Sequence, residues 1–438
     1  MPDDAADAGL ETKVAGWIER DIGPVRAISR QGRWRPAWFV EAERDGQPLQ
    51  LYVRGDRGGR WSPMPLAYEA KVHKVFAESG LKVPKLYGYI EEIPALVMER
   101  VRGRVNMATA ENDAARERLR EQLVDQMLKM HRIDPKLIVA CGSPDPKDPR
   151  EITLCHYRQA EALYTAGERL PSPDMEFVRG WLDRNAPPCD EGPTVIAMDA
   201  GQFLFEGDEL TTLLDFEFVV VGDRHVDFAA LRSRDTFEQI GDLESFYQLY
   251  EARGGKPVDR DKVLFQRAAF VMYAPLEVAE ELARPGETED YYEYLRWHVH
   301  GTRTAMEDIA QILGLELEPY SLPAPARSRY AAEMQAVAAG VARSQATDDY
   351  AVYHRSKTAI AARHLALRET YGAALEREYL ADVKALTGRV AASEWDADVL
   401  MEGFVRAAGP EMDEPLLRLL HRRQTRLWLV MEMARAAG

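Results

Sequence analysis

The residues with the clearest chemical potential fall in one stretch, MDAGQFLFEGDELTTLLDFEFVVVGDRHVDFAAL, over residues 198–231. It spaces Asp199, Gln202, Asp215, Glu217, Asp223 and Asp227 along what reads as a short hairpin. Carboxylates and an amide oxygen gathered this way suit Mg²⁺, a hard cation that takes a few carboxylates and completes its shell with substrate phosphates. The competing reading is a solvated hairpin whose acids face water. Two features weigh against it. Asp215 lies inside the apolar run Leu213-Leu214-Asp215-Phe216, and Gly222-Asp223 closes that run at a turn. A carboxylate at the end of a buried strand is costly without a cation or hydrogen-bond donors nearby. No G-x-S-x-G elbow, Ser-His-Asp order or Walker loop offers a rival chemistry.

Other candidates are weaker. His131 in KMHRID reads as an interior helix residue on periodicity. Tyr291, Tyr292, Tyr294, Trp297, His298 and His300 either line an acceptor pocket or pack a helix with one polar face. The two histidines stand two apart and so do not share a helical face, which argues against a metal pair.

The elements that must position the acids begin with an amphipathic helix over Leu10 to Arg20, where Leu10, Val14, Trp17 and Ile18 recur at helical spacing. Three strands follow at 25–29, 37–44 and 48–55, the last two joined by Asp45-Gly46, a strong hairpin signal. A helix from Leu66 to Ser79 stops at Gly80, and VPKLYGYIEE and ALVMERV supply two more strands. From Thr109 the pattern turns to long helices, with Leu119, Leu123, Met127 and Met130 in register. The proline-dense CGSPDPKDP (141–149) reads as an irregular loop. A second β region spans Val195 to Val221, helices run to about Leu315, and LEPYSLPAPARS (317–328) reads as a linker or packed connection. The remainder is helical by pattern, with a break at 409–415 and no internal repeat.

Composition bounds the setting. At 438 residues the chain is long enough for two or three domains, and its hydrophobic and charged fractions are those of an ordinary globular protein. A net charge of −16 opposes nucleic acid or an anionic membrane as a bulk partner. Cys141, Cys155 and Cys189 are odd in number and widely spaced, as befits a reduced compartment. No apolar run reaches the roughly 18 residues that span a bilayer, and the acidic N-terminus lacks a signal-peptide pattern. The expectation is a cytoplasmic protein.

With LLDFE followed by GDRHVDFAAL, the chain resembles the aminoglycoside phosphotransferase superfamily, small-molecule kinases with a protein-kinase-like fold. VPKLYGYIEEIPALVMERVRG resembles the strand–hinge–strand entry to that family's nucleotide pocket, LAYEAKVHKVFAESGLKVP its N-lobe helix, and LYVRGD the strand carrying the basic residue. The resemblance covers roughly residues 10 to 315. It implies an α+β, bilobal fold: an N-lobe of antiparallel sheet plus helix over 1–100, a mostly helical C-lobe over 101–316, the linker over 317–328 and an extra helical region over 329–438. That last region either mediates homo-oligomerisation or is a packed extension.

By the same resemblance Asp215 would chelate Mg²⁺ on the nucleotide phosphates, Gln202 would stand in for the metal-binding amide, and Glu217 would assist the metal. Asp199 would orient the acceptor hydroxyl and accept its proton. Arg54 would contact phosphates and pair with Glu69, and Met98, Glu99 and Arg100 would line the base-binding hinge. Asp227 would brace the loop. The implied activity moves the γ-phosphate of ATP or GTP to a hydroxyl of a small molecule. A hydroxylated metabolite or hydroxyacyl-CoA is favoured over an aminoglycoside or macrolide, and the alternative is a pseudokinase without phosphotransfer.

The departures from the family pattern are specific. The family's catalytic Asp lies five residues before the amide and follows His-Gly, whereas Asp199 lies three before Gln202 and follows Ala197-Met198. An ungapped reading would put Ala197 in the catalytic place; a loop two residues shorter keeps Asp199 there and is favoured, since Asp-Ala-Gly-Gln-Phe retains the small residues of a tight turn. No glycine-rich phosphate loop surrounds Gly32, where Arg30, Arg33 and Arg35 either supply charge or form a solvated basic turn. Arg replaces the usual Lys at position 54, which keeps the charge and changes its geometry.

Overall fold

The computed structural model describes residues 2–32, 35–56, 64–199, 201–285, 291–346 and 348–436, so Arg33 and Ala200 lie outside the described residues. The chain forms two compact units, residues 1–156 with 187–266, and residues 157–186 with 267–438. Among the described residues no helix is long and apolar enough to cross a membrane.

The first unit opens with α1 (Pro2–Asp21). This helix starts well before Leu10 because the Ala- and Asp-rich segment behind Pro2 continues the same turn chemistry without adding apolar periodicity. A five-stranded antiparallel sheet follows, in the order β1-β2-β3-β5-β4: β1 (Val25–Arg30), β2 (Ala37–Arg44), β3 (Gln47–Gly55), β4 (Leu86–Ile90) and β5 (Ala95–Glu99). Asp45 and Gly46 join β2 to β3 with φ of 55° and 73°. Two left-handed residues in succession give the turn that matches strand twist. The period of two then sorts the faces. Trp38, Val40, Leu51, Val53 and Val97 form a core with Val14 and Ile18 of α1. Tyr52 and Arg54 alternate with Leu51 and Val53 and so face the other way, with Phe39 opposite Tyr52 and Ala37 opposite Arg54.

Helix α2 (Leu66–Glu78) buries Leu66, Glu69, Val72, His73 and Phe76, one helical stripe that includes a carboxylate. Helix α3 (Asp113–His131) is capped by Asn112, whose side chain accepts from Ala115 N, and buries Leu119, Leu123, Met127 and Met130. After α4 (Pro135–Cys141), α5 (Pro149–Ala166) and α6 (Pro173–Asn185), two small antiparallel pairs carry the acids: β6 (Thr194–Ile196) with β9 (Val220–Gly222), and β7 (Phe203–Glu206) with β8 (Glu209–Leu213). Next come α7 (His225–Arg234), α8 (Leu243–Ala252) and α9 (Arg260–Val271). This is the α+β, protein-kinase-like arrangement that the sequence motifs imply.

The second unit is helical. It joins part of α5, all of α6 and the end of α9 to α10 (Tyr273–Ala283), α11 (Tyr291–Ile312), α12 (Arg329–Arg343), α13 (Asp349–Thr387), α14 (Glu394–Ala407) and α15 (Asp413–Ala436). The compact units therefore cut across chain order: α6 packs with α14 and α15. A buried polar network ties these helices together. Asp174 of α6 accepts from Gln424 Nε2 at 2.7 Å and meets His298 Nε2 at 3.2 Å. Arg423 donates to Asp398 at 2.6 Å, and Tyr379 donates to the same carboxylate at 2.8 Å. The tyrosine-rich start of α11 contributes to packing here, since buried Tyr292 donates to Met431 O at 3.1 Å. His298 and His300 meet different partners, Asp174 and the Trp428 ring.

Candidate active site

The site is built outward from one buried carboxylate. Asp227, in the first turn of α7, is fully buried. Its Oδ1 accepts from the backbone N–H groups of Ala197 (3.1 Å) and Met198 (2.9 Å), the two residues just before Asp199. Its Oδ2 lies 2.8 Å from His131 Nε2, and His131 Nδ1 lies 2.8 Å from the Tyr250 hydroxyl. His131 is thus a structural link between α3, α7 and α8, as its periodicity suggests. The pinned loop carries strain: Met198 has φ of 57°, a left-handed conformation that a non-glycine residue adopts only under constraint. The chain then turns tightly, with Asp199 N donating to Ala197 O at 2.7 Å and Gln202 N to Asp199 O at 3.0 Å.

From Asp199 a line of alternating charge crosses the site. Arg234, at the end of α7, donates from Nε to Asp199 Oδ1 at 2.8 Å and from a terminal nitrogen to Oδ2. Its other terminal nitrogen donates to Glu238 at 2.9 Å. The Gln202 amide donates to Asp199 Oδ2 at 2.6 Å and to Asp215 Oδ2 at 2.9 Å, linking the two carboxylates. The other oxygen of Asp215 accepts from Arg54, which also pairs with Glu69 and lies 3.2 Å from Glu217. Glu217 in turn accepts from Arg35 of the β1–β2 turn. Asp215 itself has φ of 64°, so the backbone twists to aim this acid at its partners.

These groups are poorly solvated. Burial pushes the carboxyl of Asp199 above its ordinary range despite the opposing pull of Arg234 and Gln202. Burial likewise raises Glu69, against Arg54. Burial would lower Arg54, but Glu69, Asp215 and Glu217 together outweigh it and hold the guanidinium charged. Asp223, also named by the sequence, lies apart from this line. Its carboxylate contacts His225 Nδ1 at 2.6 Å, and despite burial that pairing holds it down at about 2.

A cavity of about 590 Å³ opens beside the line, walled by Phe39, Tyr52, Arg54, Glu69, Gln202 and Asp215, among others. Met98, Glu99 and Arg100 also border it. Met98 sits in β5 between Tyr52 and Leu86, Glu99 N donates to Lys85 O at 2.8 Å, and Arg100 N donates to Gln50 O at 3.0 Å. The Arg100 guanidinium stacks on Phe39, 3.6 Å from the ring centroid. Gly103 has φ of 149°, and a Cβ there would come within 2.9 Å of Leu204 Cβ, so the segment after β5 crosses the β7–β8 hairpin closely.

The structure therefore brings together Asp199, Gln202, Asp215, Arg54 and Glu69. Glu217 joins them only from behind: it is buried on Arg35 and Arg54 and does not border the cavity. Among the described residues no group of three or more His, Cys, Asp or Glu is arranged to hold a metal ion. Two hard donors on the cavity wall, Asp215 and Gln202, nevertheless suit Mg²⁺, which keeps several waters and leans on phosphate oxygens. Sequence reading missed Arg234 and Glu238, and it left open whether Arg35 turns inward. Arg234–Glu238 is an i,i+4 pair, but no local pattern carries the contacts to Asp199 and Glu217: Arg234 lies 35 positions from Asp199 and Arg35 182 from Glu217.

Comparison with known proteins gives the family and the fold. The model of the phosphotransferase enzyme family matches residues 26–265, more than half of the chain. No curated protein matches the sequence significantly. Among solved structures, a candidate aminoglycoside phosphotransferase from Ralstonia eutropha aligns with a TM-score of 0.51 at 16% identity, covering 70% of this chain and 99% of its own. The choline kinase LicA from Streptococcus pneumoniae aligns with a TM-score of 0.49 at 17% identity, covering 68% and 98%. The macrolide 2'-phosphotransferase MphH from Brachybacterium faecium gives 0.44 at 18%, covering 65% and 96%. The extent of the family match leads to one assignment: this chain belongs to the phosphotransferase enzyme family.

Proposed function

We propose that the chain moves the γ-phosphoryl group of ATP or GTP to a hydroxyl of a small molecule, with Asp199 as the carboxylate that meets the acceptor. One observation carries this reading: Asp227 pins the two amides before Asp199, and one glutamine amide then joins Asp199 to Asp215 at the cavity wall. The shortened loop thereby presents Asp199, and Ala197 serves as backbone only. Arg54 would meet the phosphates, and the backbone after Met98 would border the base.

Asp215 and Gln202 would hold Mg²⁺, which when bound neutralises charge on the bridging phosphates. Asp199 accepts a hydrogen bond from the acceptor hydroxyl and fixes its line of attack. The new O–P bond forms as the bond to the nucleoside diphosphate breaks, and the hydroxyl proton passes to the Asp199 carboxylate. Arg234 places a cation beside that carboxylate. The acceptor favoured in this reading is a hydroxylated metabolite or a hydroxyacyl-CoA.

A second reading has its own observation. Both cleft carboxylates are already matched to guanidinium groups, Asp215 to Arg54 and Asp199 to Arg234, which is how a nucleotide-binding pseudokinase would rest. Phosphate transfer from MgATP and MgGTP to a panel of hydroxyl compounds separates the two. Transfer that is abolished by Asp199→Ala and by Asp215→Ala supports the enzyme; nucleotide binding with no transfer in any protein supports the pseudokinase. Full activity in Asp199→Ala with a dead Asp215→Ala would remove Asp199 from its role.

A further inference from the structure

We infer that Arg234 is a positioning residue that divides the two linked carboxylates between two tasks, keeping Asp199 out of the metal's coordination shell and turned toward the acceptor while Asp215 is left for the metal. The inference rests on the phosphotransfer reading above and adds a residue that the family motifs do not contain.

The geometry is specific. Arg234 uses all three guanidinium nitrogens: two on the two oxygens of Asp199 and one on Glu238, one helical turn further on. A guanidinium fork that takes both oxygens fixes a carboxylate in rotation as well as in place. Asp215 is held differently, with one oxygen on Arg54 and the other on the Gln202 amide, and it borders the large cavity, whereas Asp199 does not.

The turn itself is cut to admit this clamp. Gly201 needs no left-handed backbone, yet a Cβ there would lie 2.5 Å from Arg234 Cδ and 2.9 Å from Nε. Glycine at 201 thus leaves room for the arginine stem that passes over it, which a side chain there would displace. Without the clamp, two carboxylates joined through one side-chain amide would be a natural pair of ligands for a dication. A metal drawn between them would cost Asp199 its freedom to receive the acceptor hydroxyl.

The test uses the full chain, with Mn²⁺ and ADP as the binding probe and phosphate release from MgATP and MgGTP, with water as acceptor, as the kinetic one. In Arg234→Ala, Mn²⁺ in the presence of ADP should bind on the order of tenfold more tightly, because the freed Asp199 carboxylate now faces the cation. Turnover should fall at least as far with little change in nucleotide KM. Arg234→Lys should lie between, and guanidinium at low, non-denaturing concentration should return both properties of Arg234→Ala toward wild type. Gly201→Ala removes no charge but displaces the arginine, and it should reproduce the signature if Arg234→Ala folds poorly. Folded variants with unchanged Mn²⁺ affinity overturn the inference, and so does a loss of turnover without tighter metal or guanidinium rescue. If the wild-type chain releases no phosphate and transfers none, the kinase reading falls instead, and the Mn²⁺ affinities alone decide the role of Arg234.

Discussion

Replacing Asp227 is the most direct probe of how this fold makes its site. The carboxylate is fully buried and satisfies three groups: the amides of Ala197 and Met198, and His131 Nε2. Each buried polar group left without a partner costs about 1–3 kcal/mol, and a water can enter the space an alanine vacates, so Asp227→Ala should destabilise the first unit by about 3–6 kcal/mol. Asp227→Asn retains an oxygen for the two amides and exchanges a charged acceptor for a neutral one, a loss of about 1 kcal/mol. Function should suffer beyond stability. Met198 is held at φ of 57°, a conformation that costs about 1–3 kcal/mol and that these bonds enforce. Once they go, the loop relaxes and Asp199 leaves its place beside Gln202. Amide hydrogen exchange of a peptide covering residues 194–203 reports the loop separately from the rest of the chain, alongside urea midpoints and phosphate release. The expected order of protection and turnover is wild type, then Asp227→Asn, then Asp227→Ala. An alanine variant with wild-type exchange in that peptide and wild-type turnover would refute the reasoning.

Three further outcomes follow from the same contacts. Arg54→Met leaves Glu69, Asp215 and Glu217 with Arg35 as their one remaining guanidinium among the described contacts, and should cost about 3–5 kcal/mol in urea melts and abolish nucleotide binding, whereas Arg54→Lys keeps part of both. Burial holds His73 and His156 down at about 4 and about 3, so the unfolded chain binds protons that the folded chain does not. That stability is complete above pH 6.5 and is lost as pH falls below it, at up to about 1.4 kcal/mol per pH unit and per histidine; urea midpoints at pH 7.5 and 5.5 should differ by this effect, and His156→Leu should shrink the difference. Gly103→Ala, blocked by Leu204 Cβ and a backbone φ of 149°, should lower thermal stability and weaken nucleotide binding together, while Gly9→Ala, inside α1 with open space around it, should leave nucleotide binding unchanged and stability equal or slightly higher.

What could be read from the sequence follows from how locally each feature is encoded. The β2–β3 hairpin is set by two adjacent turn residues, and the helix over 66–79 by a pattern that stops at Gly80. Those readings agree with the structure, and so does the antiparallel sheet with its one inserted helix. The contacts that complete the site are not local. Arg234 reaches Asp199 across 35 positions and Arg35 reaches Glu217 across 182, and no periodicity links such residues. The grouping of α6 with the C-terminal helices was likewise hidden, because it depends on buried polar partners such as Asp174 and Gln424, 250 positions apart. The length of α1 was underestimated for a different reason: alanine and aspartate extend a helix without marking a face.

The alternating line from Glu69 to Glu238 has a consequence for how this site responds to salt. Phosphates that enter a cleft of unpaired arginines release counterions, and their affinity then falls steeply with ionic strength. Here Arg54, Arg35 and Arg234 are already matched to carboxylates of the chain itself. A nucleotide entering this cleft exchanges one set of anions for another and adds few new ion pairs, so its affinity should depend only weakly on salt concentration.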